Sequence, residues 1–170
     1  MTGPVGLMEA CIPALRRYAA TLLRDRQEVD DLVHDCLVRA LDQLHSRRAD
    51  ADMRSWLFAI LHNLFIDRVR QRRVRGTALP LDDLGDATPG VRAEQEGHVQ
   101  VKDIVAAMER LPEEQRSVLL LVSVEDLSYA QVAQVLGIPI GTVMSRLARA
   151  RERLREITDG EAVPALRRVK

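Results

Sequence analysis

Residues Leu127–Arg155, LSYAQVAQVLGIPIGTVMSRLARARERLR, read as a helix, a tight turn and a second helix. Ser128 is placed to cap the first helix, and Gln131 three residues later can return the bond, as in a capping box. Ala130, Val132, Ala133 and Leu136 supply a short apolar stripe. Gly137 suits the left-handed position after a helix, and Pro139 prevents the same helix from continuing. The second helix is predicted to begin near Gly141 and Thr142. Its core-facing residues Val143, Leu147, Ala150 and Leu154 recur at helical spacing, and the opposite side shows Thr142, Ser145, Arg146, Arg149 and Arg153. A helix-turn-helix with an arginine-bearing second helix fits the major groove of DNA. The bland alternative is an amphipathic helix whose arginine side is merely solvated.

Composition is compatible with that reading without producing it. At 170 residues the chain has room for one medium domain or two small ones, and 46% hydrophobic residues can fill a core. Aromatics are only 3%, so the core is expected to be built from Leu, Val and Ala. The formal net charge is zero, which argues weakly against a polyanionic partner until the distribution is considered. Arg47, Arg48, Arg54, Arg68, Arg70, Arg72, Arg73 and Arg75 fall in one stretch, and Arg146, Arg149, Arg151, Arg153 and Arg155 in another. Acids gather between Asp25 and Asp35 and again from Asp82 to Glu96. Two basic patches separated by an acidic connector suggest two contacts to one polyanion.

Other function classes find little support. The N-terminal MTGPVGLMEACIPALRR lacks the basic start and apolar core of a signal peptide, and no apolar run approaches membrane-spanning length. A cytoplasmic protein without membrane insertion is expected. Cys11 and Cys36 read as reduced, small core residues rather than a redox pair. The four histidines have no metal-ligand spacing, so no metal and no cofactor are expected. There is no phosphate-cradling glycine loop and no nucleophile–base pair, so no catalytic centre is expected either.

Periodicity predicts an all-α chain of two small helical domains joined by a flexible linker. The first spans about 8–75. Within it Val29, Leu32, Val33, Cys36, Leu37, Ala40, Leu41 and Leu44 form the strongest helical stripe of the sequence. Leu57, Ile60, Leu61, Leu64 and Phe65 form the buried face of a further helix starting near Met53. Trp56 is placed either to fill the core beside Leu57 and Ile60 or to stack on a base. Residues 76–100 lose periodicity and collect Gly, Pro and Asp, as a linker does. The second domain spans about 101–157, and the tail from Thr158 to Lys170 reads as frayed.

Four segments together resemble a known family: Asp30-Asp31-Leu-Val-His-Asp-Cys-Leu-Val-Arg-Ala-Leu, Ser55-Trp56-Leu-Phe-Ala-Ile-Leu-His-Asn63-Leu-Phe-Ile-Asp67-Arg68, Leu111-Pro-Glu-Glu-Gln-Arg116 and Gly141-Thr-Val-Met-Ser-Arg-Leu. In order and spacing they are similar to the minimal bacterial sigma factors of the extracytoplasmic-function (ECF) type, which keep regions 2 and 4. The wording also resembles the EcfG-like general-stress subgroup.

The resemblance implies a factor that binds core RNA polymerase and directs promoter-specific initiation, in a stress or environmental response under an anti-sigma factor. It implies that Asp31, Asp35, Arg39 and Gln43 face the clamp helices of the largest polymerase subunit, with the flap of the second-largest subunit as a further contact. Asn63, Arg68, Arg70, Arg72 and Arg73 would grip the opening minus-10 element, and residues 47–52 would form the loop that captures a flipped base. Thr142, Ser145, Arg146, Arg149 and Arg153 would face the minus-35 element, with Arg146 and Arg149 at base edges. Asp67 is expected to orient a neighbouring arginine such as Arg70. Two other classes remain open on sequence: a stand-alone helix-turn-helix regulator, and an interaction protein with no direct DNA role.

Overall fold

A computed structural model describes residues 3–47, 52–76 and 104–166, with side chains to 159. The expected linker and the expected base-capture loop lie largely outside the described residues. All regular structure among the described residues is helical. The chain forms α1 (Pro4–Leu22), α2 (Arg26–Asp42), a short 3-10 turn (Leu44–Ser46) and α3 (Met53–Val74). It continues with α4 (104–109), α5 (Glu113–Ser123), α6 (Tyr129–Leu136) and α7 (Ile140–Leu166).

Local chemistry explains the boundaries. Pro4 opens α1, where its missing N–H is harmless. Asp25 caps α2 by accepting from the Glu28 N–H at 3.3 Å, and Asp52 caps α3 by accepting from the Ser55 N–H at 2.9 Å. Arg72 and Arg73 in the last turn of α3 face the negative end of its dipole. The final helix does not fray at Thr158 as expected: its backbone continues to Leu166.

The apolar stripes pack α1, α2 and α3 into one bundle. Leu15, Tyr18, Leu32, Cys36, Leu57, Phe58 and Leu61 are completely covered at its centre. Tyr18 meets Phe58 edge to face at 5.5 Å between centroids, a favoured aromatic geometry. One expected core residue is not there: Leu41 is 46% exposed, because the buried face of α2 is narrower than the eight-residue stripe and turns away from it. Trp56 is partly buried against this core, and the Arg47 guanidinium lies 5.9 Å from its ring.

A second group forms around Val118, Leu121, Val132, Val143 and Ala150, all fully covered. In α6 the expected Val132 is buried and Ala133 and Leu136 pack against the core, whereas Ala130 is exposed and Val135, outside the expected stripe, is buried. The two groups pack on one another: α5 lies against α1, and α6 lies against α3. Cys36 is buried, where its thiol donates to the Leu57 carbonyl, and Cys11 is half-buried at the edge of the bundle. Burial pushes both thiols up, the Cys36 thiol to about 12, so neither favours the reactive thiolate at neutral pH.

His62 is a titratable group placed inside this packing. Its Nδ1 is 3.0 Å from the Tyr18 hydroxyl, and loss of water lowers its pKa from 6.5 to about 4. At neutral pH the folded imidazole is therefore uncharged, which suits acceptance of the Tyr18 O–H. An unfolded chain takes up the proton below pH 6.5 and the folded chain only near pH 4. Stability is thus complete above 6.5 and falls with pH across that window, by about 3 kcal/mol in total from this group. Urea unfolding at pH 7 and pH 4.5 should show a smaller pH-dependent loss for His62→Gln than for the wild type. Equal losses would contradict a neutral buried imidazole.

Candidate nucleic-acid interface

The helix-turn-helix is closed by side-chain and backbone bonds at each joint. The Ser128 N–H donates to Gln131 Oε1 at 2.8 Å, and the Gln131 N–H donates to Ser128 Oγ at 3.2 Å, completing the capping box. Gly137 ends α6 at φ +63°, ψ +37°, and the Ile138 N–H returns to the Ala133 carbonyl at 3.1 Å. Pro139 accepts the first bonds of α7 from Thr142 and Val143 at 2.9 and 3.2 Å. This fixes α7 against α5 and α6 through the covered side chains of Val143, Leu147 and Ala150.

That anchoring determines which residues of α7 meet solvent. Ser145, Arg149 and Arg153 are exposed, and Thr142 is half-buried. Arg146, expected at a base edge, is tied back to α5. Its side chain is only 24% exposed, and its Nη2 pairs with Glu114 Oε2 of α5 at 3.0 Å. The outward face also carries Ile140 and Met144, 46% and 49% exposed, which the arginine-centred reading passed over. Their signal in the sequence was a bulky apolar residue in the first turns of the helix, at the edge of the stripe that Val143 and Leu147 continue.

The other arginine-rich helix is sorted in the same way. Arg68 donates to Asp35 at 2.6 Å, and Arg72 donates to Glu28, so both tie α3 to α2. Asn63, Arg70 and Arg73 are exposed and carry no such bond to α2. Asp67 is exposed too, and among the described residues no ion pair joins it to Arg70, contrary to expectation. On α2, Asp31, Arg39 and Gln43 face solvent, while Asp35 is shared with Arg68. Val38 stands beside them at 45% exposure.

A further cluster joins the two helix groups. Glu125, in the α5–α6 loop, has no side-chain exposure. It accepts from Arg17 Nε at 2.9 Å and Arg17 Nη2 at 3.0 Å, and from Arg54 Nη2 at 2.5 Å. The hydrogen bond to Glu125 raises the Arg17 pKa further above its ordinary value. Nearby, Gln131 Nε2 donates to Asp52 Oδ2 at 3.3 Å. No metal-holding group of His, Cys, Asp and Glu occurs among the described residues, and no helix among them is long and apolar enough to cross a membrane.

Comparison with known proteins matches both groups. The family model for Sigma-70, region 4 covers residues 102–154, and that for the Sigma2 domain of PhyR covers residues 8–62. The chain is 35% identical to the ECF RNA polymerase sigma factor EcfG of Rhodopseudomonas palustris, over 85% of this chain and 79% of that protein. The chain belongs to the ECF RNA polymerase sigma factors. It is 37% identical to SigM of Mycobacterium tuberculosis over 82% of this chain and 69% of that one. Its fold is similar to the sigma factor RpoE of Bartonella quintana, solved in complex with the anti-sigma factor NepR (TM-score 0.74, 30% identity, 89% of this chain and 94% of that chain). It is also similar to CnrH in complex with the cytosolic domain of CnrY (TM-score 0.66, 25% identity, 92% and 88% coverage).

In this ECF sigma factor the region 4 turn depends on one left-handed residue. A Cβ added at Gly137 meets no atom within 4 Å, so the cost of a side chain there is conformational rather than steric. Gly137→Ala should therefore lower the unfolding free energy by about 1–2 kcal/mol. Chemical denaturation reads this directly. An unchanged midpoint would mean that the turn does not need a left-handed residue.

Proposed function

We propose that the chain works as the specificity subunit of a bacterial RNA polymerase, with α7 meeting the minus-35 duplex and α3 the opening minus-10 element. The observation that carries this reading is the exposed Ser145–Arg149–Arg153 side of α7, held outward by a fully covered opposite side. Such a face on a helix of this length suits a major groove. Arg149 is the leading base reader, since it is exposed and its fork is engaged in no ion pair among the described residues. Arg146, held by Glu114, acts first to fix the helix and is released to DNA only when that pair yields. Exposed Met144 suits contact with a thymine methyl.

In region 2, Arg70, Arg73 and Asn63 are the groups offered to the minus-10 strands, while Arg68 and Arg72 hold α3 in place by their bonds to α2. Asp31, Arg39 and Gln43, with Val38 among them, form a mixed charged and apolar face suited to a reversible contact with the polymerase clamp. The flap of the second-largest subunit is a further contact through region 4. The chain supplies no chemistry of its own; phosphodiester formation belongs to the polymerase. It acts in the cytoplasm, in a stress or environmental response, and an anti-sigma factor holds it inactive, in keeping with its likeness to RpoE, solved with the anti-sigma factor NepR.

Run-off transcription with purified core polymerase and a library of promoter fragments tests the reading. The chain should direct transcription from a subset of promoters that core enzyme alone ignores. Arg149→Ala should weaken holoenzyme binding to those promoters by about 5–150-fold, the equivalent of about 1–3 kcal/mol, while binding to core polymerase is retained. Arg73→Ala should lower affinity evenly across sequences and flatten its salt dependence. A chain that gives no promoter-specific product with any core enzyme, but protects a palindrome as a dimer, would instead be a stand-alone regulator.

A further inference from the structure

Glu125 is the only fully buried carboxylate in the described core, and it sits between arginines of the other helix group. The loop that carries it is held rigidly. The Val124 and Glu125 N–H groups both donate to the Leu120 carbonyl, at 2.9 and 3.0 Å, and the Leu127 N–H donates to Leu121 at 3.0 Å. Asp126 adopts φ +54°, the left-handed region that Asp tolerates better than most residues. The carboxylate is thus aimed, rather than caught by chance. Arg17 grips it with two nitrogens in the fork geometry that guanidinium offers to carboxylates and phosphates alike, and Arg54 adds a third bond. Both arginines keep a way out to solvent, with 52% and 40% of their side chains exposed.

The closed arrangement conflicts with the proposed use of the two helices. Elements centred at minus-35 and minus-10 lie about 25 base pairs apart, which is ~85 Å along B-form DNA. Here only α6 stands between α3 and α7, so the two DNA-facing helices are about two helix diameters apart, ~20 Å. One chain in this form cannot reach both elements. Residues 77–103 are enough chain to span ~90 Å when extended.

We propose that Arg17 and Arg54 form an anion clasp for the sugar-phosphate backbone of the promoter, and that Glu125 fills this clasp in the closed chain, so that domain closure and promoter binding compete. The proposal rests on the promoter-binding reading above and adds a site and a switch to it. Nucleic acid is favoured over an acidic protein as the occupant because Arg54 opens the same helix that carries the exposed Arg70 and Arg73. Arg73 lies ~29 Å further along α3 and about 100° round it, so a phosphate chain that crosses the helix obliquely meets Arg54 and then Arg73. Opening uncovers the clasp and frees α7 from α3 in one movement.

Small-angle scattering and DNA-binding anisotropy on the full chain, without polymerase, test this. Glu125→Gln keeps the shape of the side chain and removes its charge. It should enlarge the radius of gyration and tighten binding to a single-stranded DNA oligonucleotide by about tenfold. Arg17→Ala/Arg54→Ala should be equally expanded yet bind that oligonucleotide several-fold more weakly than Glu125→Gln. Independently of any variant, adding the oligonucleotide to the wild type should expand it. A Glu125→Gln chain as compact as the wild type, or one that opens without gaining affinity, overturns the proposal. So does a wild type that expands with polyglutamate but not with DNA, which would assign the clasp to an acidic protein. Because no polymerase is present, a failure here leaves the run-off result untouched, and the reverse also holds.

Discussion

Taking a carboxylate out of water costs several kcal/mol unless charged donors replace the lost solvent. Glu125 has no exposed side-chain surface, and it is held there by Arg17 from α1 and Arg54 from α3. Neither arginine belongs to the helix group that carries the glutamate. The relative placement of regions 2 and 4 is therefore governed by one polar cluster, with α5 on α1 and α6 on α3 closing around it. An apolar contact of this extent would tolerate some sliding. A carboxylate with three donors at 2.5–3.0 Å would not, because any displacement leaves a buried charge short of partners.

Each region nevertheless has its own source of order. In region 4 the joints are satisfied within a few residues: the Ser128–Gln131 box, the Gly137 reversal and the Pro139 carbonyl. In region 2 the order comes from side chains that cross between helices. Arg68 and Arg72, one turn apart on α3, reach Asp35 and Glu28, two turns apart on α2. The later arginine takes the earlier acid, which is the pattern of antiparallel neighbours. These arginines look like DNA ligands in the sequence, and the fold uses them as struts. The arginines left over on α3, Arg70 and Arg73, are those the strut geometry turns toward solvent.

How far the sequence could be read follows from the range of each interaction. The helix-turn-helix was legible because its caps and turn act over three or four positions, and a residue's neighbours there are known in advance. The helical class and the covered faces of α2, α3 and α7 were legible from periodicity for the same reason. Two errors came from treating a stripe as wider or differently centred than the contact it makes: Leu41 is exposed, and α6 buries Val135 rather than Ala130. The Glu125 cluster was not legible. Arg17 and Glu125 are 108 positions apart, and no periodic signal joins a loop residue to partners at that separation. The Arg146–Glu114 pair was not legible because Glu114 lies on a helix whose packing angle only the fold supplies.

The neutral total charge takes on a different meaning once these pairs are known. The zero total argued weakly against a polyanionic partner, and only the segregation of opposite charges along the chain suggested one. In the folded chain many of the basic residues nearest the DNA-facing helices already hold an internal acid: Arg17 and Arg54 hold Glu125, Arg68 holds Asp35, Arg72 holds Glu28 and Arg146 holds Glu114. The closed molecule is thus partly self-neutralised beside the faces a polyanion would meet, while Arg70, Arg73, Arg149 and Arg153 stay exposed. Positive charge becomes available in proportion to how many of these pairs are broken, and the pair that also separates the regions is the one at Glu125. Under the proposed opening, coupling shape to exposed charge in this way makes attraction to DNA stronger in the open chain than in the closed one. The sequence supplies the charges, but only the distances between them say when they are free to act.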